Sequence, residues 1–173
     1  MARNEDMFQK WFSDILGDLT KNPDAGAVLL MVAFPLLESY LRKKLQIRDK
    51  KGSLPPSFYA ELAELFPQLK AQNRACKFWG IFRHGLLHLA RLNREGHGWR
   101  MDEQAQAVEI VNDNYFKVNP AKFAQCVLQE ITSHLEVFLR GERLGVFAGG
   151  TGTVQPPPVI KNEDRYGIDK TWR

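Results

Sequence analysis

The chain has 173 residues, 44% of them apolar and 25% charged, with a net charge of +4. Those proportions exclude wholesale disorder, a collagen-like repeat and a disulfide scaffold, and the length fits one domain with an appended tail. A chain of this size buries roughly two-thirds of its unfolded surface, so its core needs no metal or disulfide.

The isoelectric point of about 9.1 permits contact with phosphate without demanding it. Cys76 and Cys126 fit no zinc or redox spacing and read as free thiols buried among apolar residues in a reducing cytosol. The acid-bearing start leads into no long apolar segment, so no signal peptide is expected. The most apolar stretch, residues 26–37, falls short of the ~20 residues a membrane span needs. The expectation is a cytoplasmic protein without a membrane partner.

In chain order, the first helix is predicted over residues 4–19. Met7, Phe8, Trp11, Phe12, Ile15, Leu16 and Leu19 recur at spacings of three and four and draw one stripe. Asn22-Pro23-Asp24 supplies a turn, a cap and a first helical turn. The second helix, running to about residue 47, is apolar nearly all round over its first half and belongs in the centre of the fold. Pro35 is expected to kink it. Its far end carries Arg42, Lys43, Lys44, Arg48, Lys50 and Lys51. That run reads either as a track for an RNA backbone or as a solvated helix end whose cations complement the helix dipole.

A short helix over residues 57–65, with Phe58, Leu62, Leu65 and Phe66 on one side, precedes a longer one over 68–93 that ends at Gly96-His-Gly98. Residues 107–111 alternate and are β-branched, Asn112-Asp-Asn114 has turn chemistry, and residues 115–118 are β-prone, which together predict a small hairpin. Asn119-Pro120 opens a last helix with Phe123, Val127, Ile131, Leu135 and Phe138 on its apolar face. After Arg140 the helical pattern stops, and a tail rich in Gly and Pro follows. The fold class is all-α, an antiparallel helical bundle with a small β-hairpin insertion. Residues 1–140 form the helical domain and 141–173 the irregular tail.

The segment from Arg74 to Arg91 carries the chemistry. At 100° per residue, Phe78, Phe82, Leu86 and Leu89 fall within a sector of roughly 80°. Lys77, His84 and Arg91 take the opposite side, with Arg83 and His88 at its margins. No acid lies between Arg74 and Arg94, an arrangement suited to an anionic ligand. His84 and His88 have a chelating i, i+4 spacing, but Gly85 stands where a zinc protease needs its glutamate and no third ligand is near. No metal or cofactor is expected. Trp79 and Trp99 read as core or interface residues, with base stacking as the alternative. His134 reads as structural, His97 as a loop residue, and Gly149-Gly-Thr-Gly152 as no phosphate loop.

Arg83-His-Gly-Leu-Leu-His88 resembles the Arg-x4-6-His motif of the HEPN domain family, in which a polar residue follows the arginine, here His84. The resemblance covers roughly residues 8–138. Glu38, in Leu37-Glu-Ser-Tyr-Leu41, lies on a central helix where many members carry an acid. Membership implies a metal-independent ribonuclease acting as a homodimer on RNA, at times paired with an antitoxin or other protein partner. It implies His88 as general acid or base, Arg83 as the phosphate clamp and His84 as an orienting or phosphate-touching group. Lys77, Arg91 and Arg74 would add substrate contacts, and Glu38 would fix a tautomer or hold Arg83. Ala90 stands where some family toxins carry a tyrosine. A catalytically silent module binding RNA, a nucleotide or a protein is the alternative, and a small helical assembly protein the third.

Overall fold

A computed structural model describes residues 2–47, 54–71, 73–86, 93–94, 97–112 and 115–140. At residues 2, 3, 83, 84, 93, 94, 97 and 99 it describes the backbone alone. The molecule is mostly helical with a small sheet.

The first helix runs as α1 (Ala2–Phe8), a π-helical stretch Gln9–Ser13, and α2 (Asp14–Leu19). The stretch decides which side is buried. In an unbroken α-helix Ile15 would stand about 20° from Phe8, and Leu16 about 80°. Absorbing one residue in the π turn brings Leu16 to within roughly 20° and carries Ile15 away. Accordingly Phe8 and Leu16 are buried, whereas Ile15, expected in the stripe, is 52% exposed.

Asn22 caps the next turn as expected, its side chain accepting from Asp24 N at 2.9 Å, with Pro23 at the first position of the 3-10 turn Pro23–Ala25. α3 (Gly26–Lys44) follows, continuous through Pro35. Pro35 and Met31, the residue whose carbonyl it has no N–H to meet, are both exposed, so water serves that carbonyl. The helix closes with Gln46 in the left-handed region, Ile47 N bonding Arg42 O and Gln46 N bonding Lys43 O. The span Pro23–Lys44 is long and apolar enough to cross a membrane by composition. Leu29, Leu30, Ala33, Phe34, Leu37, Tyr40 and Leu41 on it are nevertheless buried within the fold, as expected of a central helix.

α4 (Pro56–Leu65) buries Phe58 and Leu62, and a 3-10 turn, Pro67–Leu69, follows. The helix expected over 68–93 begins only at α5 (Arg74–Gly80), because Asn73 before it takes a left-handed conformation at φ 63°. It continues as a second π-helical stretch, Ile81–Leu86.

The hairpin predicted over residues 107–118 is present: β3 (Val108–Asn112) pairs antiparallel with β4 (Tyr115–Val118), with an irregularity between Ile110 and Asn112. The sheet is larger than that hairpin. β2 (His97–Met101) lies parallel to β4, with Trp99 opposite Phe116, and the two-residue β1 (Asn93–Arg94) pairs with β2. The order is β1-β2-β4-β3. His97, read as a loop residue, is thus a strand residue. Asn119 caps α6 (Pro120–Ser133), and α7 (Leu135–Phe138) follows the break at His134. Asn119 also donates through Nδ2 to Glu103 O at 2.6 Å, tying the loop after β2 to the helix start. The tail 141–173 lies outside the described residues.

One aromatic cluster joins these elements. Phe34 of α3 stacks on Phe123 of α6 at 4.7 Å and on Phe82 at 5.0 Å, and meets Trp79 at 5.4 Å. Phe123 stacks in turn on Phe66, and Phe78 meets Phe116 of β4 edge-on. Replacing Phe34 by alanine removes contacts with α5, α6 and the second π stretch together. Phe34→Ala is therefore expected to cost about 3–5 kcal/mol in urea unfolding, while Ile15→Ala, at an exposed position, changes stability by less than about 0.5 kcal/mol.

Candidate functional site

Two buried side chains hold the backbone that carries the motif. Phe82 and Leu86 are 0% and 4% exposed, and Arg83, His84 and Gly85 lie between them on the second π stretch. That stretch packs against β1 and β2 on one side and, through Phe82, against Phe34. Its π geometry departs from the 100° steps assumed for the motif, although Phe78, Phe82 and Leu86 are buried as that wheel requires. The side chains of Arg83 and His84, and all of His88, Arg91 and Leu89, lie outside the described residues.

Lys77 and Arg74, expected to touch substrate, sit three residues apart on α5, half-buried, and both engage other groups. Glu38 sits one turn beyond Phe34 on α3. Its Oε1 accepts from Arg42 Nε at 2.8 Å, and the two side chains are only 14% and 19% exposed.

The described part of the basic helix end is spent inside the molecule. Arg42 pairs with Glu38. Lys43 Nζ donates to Phe138 O at 2.6 Å, capping α7, and stands 5.1 Å from the ring of Phe138. Lys44 Nζ meets Glu61 at 2.6 Å and Glu130 at 3.7 Å. Arg42 and Lys43 are partly buried, so the solvated-end reading fits Lys44, which is 36% exposed, better than its neighbours; Arg48, Lys50 and Lys51 lie outside the described residues. Elsewhere Lys70 pairs with Glu64, Arg100 and Lys117 with Asp102, and Lys122 with Ala105 O.

Trp79 is 2% exposed, between Phe34 and the edge-on ring of Phe58, so it belongs to the core and stacks on no base. Its Nε1 has no hydrogen-bond partner among the described residues. Cys76 and Cys126 are free and half-buried, less enclosed than expected, and burial raises the Cys126 thiol pKa. Among the described residues no group of three or more His, Cys, Asp and Glu side chains is placed to hold a metal ion.

Sequence patterning missed a second polar cluster. Tyr40 of α3, 0% exposed, donates its hydroxyl to Glu130 Oε1 at 2.7 Å. Lys44, 5.9 Å from the Tyr40 ring, and His134 gather on the same carboxylate, His134 Nδ1 lying 3.6 Å from Oε1 and 3.1 Å from Glu130 O. His134 thus has a structural place at the α6–α7 break. No local spacing advertises the cluster, since its members come from two helices far apart in sequence, α3 and α6, and from the break after α6.

Burial, then the bond to Glu130, then the charges of Glu130, Glu61 and Glu136 hold the Tyr40 phenol protonated well above the ordinary tyrosine range. An unfolded tyrosine releases its proton near pH 10, so this group's contribution is complete below about pH 10 and is lost as pH rises beyond it. Tyr40→Phe is expected to lower stability at neutral pH by about 1 kcal/mol and to flatten the decline above about pH 10, both read from urea unfolding across pH.

Comparison of the chain with protein-family models, curated proteins and solved structures finds no match.

Proposed function

We propose that this chain is a metal-independent RNA endonuclease of HEPN type. The observation that carries the reading is the seating of Arg83 and His84: a polar pair on a π turn clamped by two buried side chains. π turns are rare and concentrate at functional sites.

Self-cleavage of RNA requires a base to take the 2′-hydroxyl proton and an acid to protonate the leaving 5′-oxygen. An imidazole with an unperturbed pKa near 6.5 serves either role at neutral pH. A guanidinium neutralises charge on the pentacovalent phosphate and grips two of its oxygens. Arg83 takes the clamp, His88 the acid–base role and His84 the orienting one. Two copies facing each other across a two-fold axis complete one cleft. The products are a 2′,3′-cyclic phosphate and a 5′-hydroxyl. A toxin–antitoxin or defence setting fits this activity.

A second reading is a catalytically silent module that binds RNA, a nucleotide or a protein partner.

Purified protein incubated with mixed RNA in EDTA separates the two. The ribonuclease reading expects cyclic-phosphate ends and a loss of at least about 100-fold in rate for both Arg83→Ala and His88→Ala with the fold retained. Binding without cleavage supports the silent module instead.

A further inference from the structure

Gly80 and the π stretch that follows it are two departures from the least costly helix, and packing does not demand the first. A Cβ at Gly80 would meet nothing within 4 Å, so no close approach requires glycine there. A helix-interior glycine nevertheless weakens a helix relative to alanine. A second glycine, Gly85, lies within the stretch. The core accepts either helical register. In α geometry Phe78 and Leu86 stand about 80° apart, and with one residue absorbed in a π turn roughly 20° apart. Both values keep Phe78, Phe82 and Leu86 inside an apolar stripe of about 100°.

The first π stretch makes a useful contrast. It has no glycine, and its register determines which of Ile15 and Leu16 is buried. Here the register leaves the same residues buried. What it alters is the angular position of the three backbone residues between Phe82 and Leu86, Arg83 and His84 among them. α steps of about 100° and π steps of roughly 80–85° differ enough to turn Arg83 and His84 about the helix axis by roughly 50–80°.

We propose that Ile81–Leu86 exchanges between π and α registers, and that Gly80 is the positioning residue whose freedom permits it. The exchange re-aims Arg83 and His84 while Phe82 and Leu86 stay in the core. The consequence for RNA rests on the ribonuclease reading; the exchange itself does not.

The test is 15N relaxation dispersion on the full chain. Wild type is expected to show μs–ms exchange at the amides of residues 81–86, and Gly80→Ala, which favours the regular helix, to abolish it. The same substitution should raise the melting temperature by about 2–4 °C. A wild type without dispersion in this segment, or a Gly80→Ala protein that melts lower, overturns the proposal. Where wild type cleaves RNA, Gly80→Ala should cut the rate several-fold despite its higher melting temperature, and an unchanged rate removes the re-aiming role. Where wild type cleaves none, the ribonuclease reading fails and the register exchange is judged on the relaxation data.

Discussion

Phe34 meets four rings at once: Phe78, Trp79, Phe82 and Phe123. Those contacts tie the central helix to α5, to the second π stretch and to α6. Each such pair contributes about 0.5–1.5 kcal/mol beyond the area it buries. Four of them weigh heavily against a net stability of roughly 5–15 kcal/mol for a typical domain. The Arg83–His84 backbone follows directly on Phe82, whose ring stacks on Phe34.

Electrostatics does the rest of the joining. Lys43 caps the last helix, Lys44 bridges α3 to α4 and α6, and Tyr40 reaches Glu130. Pairs as exposed as Lys44–Glu61 are each worth little, on the order of 0–1 kcal/mol. Their larger effect concerns function. A net charge of +4 suggests a cationic surface, yet many of the described cations already face an acid or a carbonyl. Arg74 and Lys77 engage other groups as well, so the phosphate-binding proposal rests on the Arg83–His88 motif.

How much was legible in the sequence depended on how local each signal was. Asn22-Pro23 and Asn119-Pro120 cap their own chain neighbours, and both caps were readable. So was the hairpin, whose strands and turn are contiguous. β2 was not: its partner β4 is parallel and separated from it by β3, and the alternation within it, Trp99-Arg100-Met101, is too short to stand out beside Gly96 and Gly98. The helix over 68–93 was overdrawn because Asn73 in a left-handed conformation stops it from the front. A wheel of fixed 100° steps misplaced Ile15, because a π turn shifts phase without leaving a mark in composition. The internal use of Lys43 and Lys44 was hidden for a different reason, their partners being distant in sequence. Of the candidate site, the burial of Phe78, Phe82 and Leu86 was foreseen, and the π-helical backbone that carries Arg83 and His84 was not. The burial of Trp79 agrees with its reading as a core residue, whereas the Glu38–Arg42 pair, an i, i+4 spacing within α3, was passed over.

The central claim is that the Arg83–His84 segment, anchored by Phe82 and Leu86, presents its polar face to an RNA phosphate. The most direct measurement is a 15N–1H titration with a short RNA carrying 2′-deoxy substitutions that prevent cleavage, at low and at moderate salt. The account predicts shifts concentrated on residues 74–91, growing with RNA and weakening as salt rises. Shifts confined to other faces of the molecule, or none at low salt, would contradict it.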